Sequence, residues 1–154
     1  MSFLLEYDLG TEHLSVLADK LDGYALLASV LADAGQATLP LLFCFGSPRR
    51  EQGARRALAA CRDSAAVRIA TAAIAPDVTS PAGSVWLPLS GRISGQIRLI
   101  DLDAALPDPW QDYRERRASE RREAAEREQA LYRADEDDDA LSADAGQEGF
   151  RRWP

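Results

Sequence analysis

Glu6 and Asp8 stand two residues apart at the end of an apolar stretch, Phe3 to Asp8, and Lys20 is the single lysine in a chain of 154 residues that carries 17 arginines. Side chains two apart on a strand project from the same face, with their bases roughly 7 Å apart, so the two carboxylates are able to converge on one cation. Hard oxygen ligands of this kind suit Mg²⁺ or Mn²⁺, ions that activate water and offset charge on a phosphodiester. Where every other basic position is arginine, one lysine invites a reason, because an ammonium is a compact donor of adjustable pKa and a guanidinium is not. Glu6, Asp8 and Lys20 are therefore the candidate catalytic residues, with Glu6 and Asp8 as metal ligands. A plainer reading of the same pair is two polar positions at the solvent end of a strand, and of Lys20 an exposed helical position.

These residues need a strand followed by a helix, and the pattern supplies both. Phe3 to Asp8 is bounded by Leu9-Gly10-Thr11 and reads as a strand. Its other side carries Phe3, Leu5 and Tyr7, which leaves Leu4 beside the carboxylates. The Thr11 hydroxyl is a cap for a helix over about 12–33, in which Leu14, Leu17, Leu21, Tyr24 and Leu27/Ala28 recur at three- and four-residue steps and Gly35 closes the end. Lys20 and Tyr24 share a face of that helix, and Glu12 lies two turns before Lys20 on nearly the same side.

Downstream, LPLLFCF (Leu39–Phe45) is apolar at every residue, as a strand covered on both faces requires. Ser47-Pro48 opens a second helix over about 49–63, and Val67–Ala73 is a third strand. Alternation of strand and helix predicts an α/β fold, a small mixed sheet flanked by helices, with VWLPL and IRLIDL as further short strands beyond the loop DVTSPAGS. This domain spans residues 1–106. A charged Arg/Glu helix over 107–134, polar all round and so either held by Glu/Arg pairs or only marginally stable, and a disordered acidic tail over 135–154 follow.

Charge limits the functions open to the chain. Residues 1–108 hold nine basic and twelve acidic side chains, residues 109–154 nine and thirteen, and the net charge is −7. Neither half is a basic platform, which argues against strong nonspecific nucleic-acid binding. The best local phosphate-contact cluster is Arg49, Arg50, Arg55 and Arg56 on the second helix, which reads equally as a solvated helix face. Cys44 and Cys61 lie far apart, without a CxxC pair and with His13 as the only histidine, so they read as two small buried thiols and not as a zinc site. With no basic leader and no apolar run long enough to span a bilayer, the expected location is the cytoplasm, with no membrane partner.

The run FLLEYDLGTE followed by KLDGY (Lys20–Tyr24) resembles the C-terminal domain of the replication-relaxation family of actinobacterial plasmid and mobile-element proteins. LPLLFCF, the arginine-rich helix from Arg49 and VWLPLSGRISGQIRLIDL fit the same resemblance, which covers about residues 3–103. It implies a partial restriction-endonuclease-like core of the PD-(D/E)XK nuclease-like kind. Glu6 then matches the acidic residue of the (D/E)XK element. Asp8 stands where that motif usually has its lysine, and Lys20 on the neighbouring helix is the candidate to replace it. In such proteins a further strand, an acidic helix and a winged-helix DNA-binding region precede this point, so the resemblance implies the downstream part of a longer protein whose first strand exposes an unpaired edge and an apolar face.

Two functions of different class follow as expectations. One is a truncated nuclease-like domain in plasmid or mobile-element DNA replication or processing, hydrolysing phosphodiesters with Mg²⁺ or Mn²⁺ through Glu6, Asp8 and Lys20 and with DNA as partner. The other is a noncatalytic scaffold that pairs with a winged-helix DNA-binding protein or with itself. A third role, docking through the Arg/Glu helix, is weaker because that helix lacks the sustained heptad seam of a coiled coil.

Overall fold

The computed structural model describes residues 2–75, 80–90 and 95–148, with side chains omitted at 131–132 and from 134 onward. Five strands, β1 (Leu4–Asp8), β2 (Leu41–Phe45), β3 (Ile69–Ala73), β4 (Ser84–Pro88) and β5 (Ile97–Arg98), form one mixed sheet in the order β1-β2-β3-β4-β5. β1, β2 and β3 are parallel, and β4 and β5 add on antiparallel. The chain is thus α/β, as the alternation predicts. Helices α1 (Leu14–Asp33) and α2 (Pro48–Ala60) make the first two crossovers, and a four-residue helix α3 (Leu102–Ala105) follows β5.

Local chemistry sets these boundaries. Gly35, at φ +77, ends α1 in a Schellman arrangement: its N–H donates to Ala32 and that of Gln36 to Leu31. α2 begins where the Ser47 hydroxyl accepts from the Arg50 N–H and Pro48 fills the first turn. The residue at the N-cap of α1 is His13 and not Thr11, and no side chain caps that end. The IRLIDL stretch is strand only at Ile97–Arg98, after which Leu99–Asp101 turns into a 3-10 segment.

Strand alternation sorts the core into two layers. On one face Leu41, Phe43, Phe45 and Ile69 pack with Leu17 and Leu21 of α1 and Ala54 and Leu58 of α2. On the other, Leu42, Cys44, Ala70 and Ala72 meet Trp86, Leu102 and Leu106. β2 is buried at all five positions, as its unbroken apolar run requires. Arg68 joins the layers at the bottom of the sheet. It is 7% exposed, donates to the Leu106 and Thr38 carbonyls and pairs with Asp103. Asp108 closes the same end by accepting from Thr38, Trp110 and Arg114.

The contacts divide the chain at Arg114. Beyond it α4 (Gln111–Glu148) continues as a helix whose described side chains are exposed, with Arg117–Glu120 and Glu123–Arg127 pairs. The span of α4 includes the backbone of residues 135–148. Residues 149–154, like parts of the DVTSPAGS and VWLPLSGRIS stretches, lie outside the described residues.

Candidate functional site

Among the described residues β1 is an edge strand, paired only with β2, and its C-terminal end lies beside the start of both crossover helices. In register with Phe45, Asp8 sits next to the turn that opens α2, so Arg50 in the first turn of that helix reaches it. Arg50 Nε lies 2.6 Å from Asp8 Oδ2 and its Nη2 3.3 Å from Oδ1, while the Gly10 N–H donates to Oδ1 at 3.0 Å. Gly10 adopts φ +80, a conformation that carries the chain sharply off the strand and brings its N–H back onto Asp8. The Asp8 side chain is 2% exposed. Its pKa is lowered, chiefly by the hydrogen bond from Arg50, against the opposing effect of burial and with help from the Gly10 N–H.

Glu6 faces the flank of α1. Lys20 Nζ lies 3.4 Å from Glu6 Oε2 and 3.1 Å from Glu12 Oε2, and the Tyr24 hydroxyl donates to Glu6 Oε1. Lys20 therefore reaches Glu6 of the strand pair, as its helical position allows, while Asp8 is held by Arg50. Its pKa is raised, first by the hydrogen bond to Glu12 and further by Glu6. The Tyr24 phenol is pushed up to about 12, first by burial and then by its hydrogen bond to Glu6, which keeps it a donor at neutral pH. Glu6, Asp8, Glu12 and Lys20 line a small recess of about 90 Å³ with Tyr7 and Leu17.

The four arginines of α2 separate. Arg50 is committed to Asp8 and to the Glu12 carbonyl. Arg55 crosses the sheet end, donating to Thr71 Oγ1 and to the carbonyls of Leu87 and Pro88, while Thr71 donates to the buried Glu51 at 2.6 Å. Arg49 and Arg56 are exposed, with Arg56 folded back on the Gln52 carbonyl. The cluster read from spacing is thus two structural arginines and two at the surface. Arg50 as partner of Asp8 had no sequence signal, because only the β1–β2 register brings residues 8 and 50 together.

Three ligand-type side chains converge at one place among the described residues, and it is not this recess: Asp22, Cys61 and Asp63 bring their ligand atoms within 4.8 Å of one another. Asp22 is raised in pKa, mainly by its hydrogen bond with Asp63.

The reverse side of β1 has a different character. Phe3, Leu5 and Tyr7 are 38%, 56% and 51% exposed and form one wall of an apolar groove of about 480 Å³. Cys44 forms its floor, with Ile74, Pro81, Trp86 and Leu99 opposite. Burial raises the Cys44 thiol pKa.

No protein-family model, curated protein or solved structure matches the chain. Among the described residues no helix is long and apolar enough to cross a membrane.

Proposed function

We propose that this chain is a noncatalytic binding module, an α/β scaffold that docks another polypeptide along the apolar side of β1. The observation that carries this reading is the self-neutralised state of the carboxylate pair. Both Asp8 oxygens accept from Arg50, and Gly10 adds a third donor. Both Glu6 oxygens are held as well, one by Lys20 and one by Tyr24. A divalent cation at Glu6 and Asp8 would have to displace Arg50 from a nearly buried partner and leave two cations beside the ion, so the residues as arranged do not fit Mg²⁺ or Mn²⁺. The network instead supports a structural role, locking β1 to α1 and α2 and so holding Leu5 and Tyr7 outward.

The competing reading is metal-dependent phosphodiester hydrolysis of the kind the replication-relaxation resemblance implies. One observation favours it, the approach of Lys20 to Glu6 at 3.4 Å. DNA contact would then fall to Arg49 and Arg56, the two arginines of α2 left at the surface. Calorimetric titration of the folded protein with Mg²⁺ and Mn²⁺, beside Glu6→Ala and Asp8→Ala, separates the two. The binding-module reading expects no saturable heat from the wild type. Binding that vanishes in both variants would overturn it in favour of the nuclease-like reading.

A further inference from the structure

We draw no further inference here: the strongest candidate, the apolar groove between β1 and Trp86, is the surface that the binding-module reading already uses, and nothing in the structure shows what covers it.

Discussion

The two sides of β1 are built from five consecutive residues and have opposite fates. Leu4, Glu6 and Asp8 face α1 and α2: Leu4 packs against the core, and both carboxylates are held by cations and hydrogen-bond donors from the two helices. Leu5 and Tyr7 face away, half exposed beside a groove with almost no polar lining. On the helix side apolar packing stops at Glu6 and a charged network takes over. On the groove side the packed layer of Leu42, Ala70, Trp86, Leu102 and Leu106 stops short of β1. Polar residues thus lie where the strand is covered and apolar ones where it is open, the reverse of the arrangement expected of an edge strand facing only water. That inversion is what the proposed docking along the groove side rests on.

Substitutions across the sheet test the contrast most strongly. Phe43→Ala, in the fully buried layer under α1 and α2, should cost about 3–5 kcal/mol in denaturant unfolding, while Leu5→Ala at low protein concentration should change stability by no more than about 0.5 kcal/mol. A comparable loss at both positions would mean that Leu5 is buried in the monomer and the groove is not open.

Removing Arg50 probes the polar side. Arg50→Ala leaves Asp8 nearly buried with only the Gly10 N–H as donor, and should cost about 1–3 kcal/mol at neutral pH. The pH dependence supplies the signature. Asp8 has a folded-state pKa below its unfolded value, so its contribution is fully present above the ordinary carboxylate pKa and is lost as pH falls through the lowered one. Stability curves of wild type and Arg50→Ala should therefore converge below about pH 4. Curves that stay parallel into acid would show that the pair contributes packing alone.

Lys20→Met should have a smaller effect than Arg50→Ala. With a third of the Lys20 side chain exposed, solvent screens its pairs with Glu6 and Glu12, and the expected loss is under about 1 kcal/mol. A larger loss would mark Lys20 as the element that holds α1 to β1.

Much of this was legible without coordinates, because it rests on short-range pattern. Period-2 alternation in Phe3–Asp8 places Glu6 and Asp8 on one face and Phe3, Leu5 and Tyr7 on the other, and four-residue spacing places Lys20 beside Tyr24. The unbroken run Leu41–Phe45 announces a strand buried on both sides, and Ser47-Pro48 announces the start of α2. Helix spacing also grouped Arg49, Arg50, Arg55 and Arg56, but spacing cannot say which arginine turns inward, and the group divides between Asp8, the β3–β4 end and the surface.

The sequence by itself determined the α/β order, the sides of β1 and the helical pairing of Lys20 with Tyr24, since each depends on the fixed periods of strand and helix. Only the tertiary structure decided that β1 lies at the sheet edge, that Arg50 meets Asp8 across 42 positions of chain, and that Arg68 ties Thr38 to Leu106. Those facts depend on which strands pair and in which register, and that choice is made by the burial of whole layers against one another, a property no local stretch of residues contains.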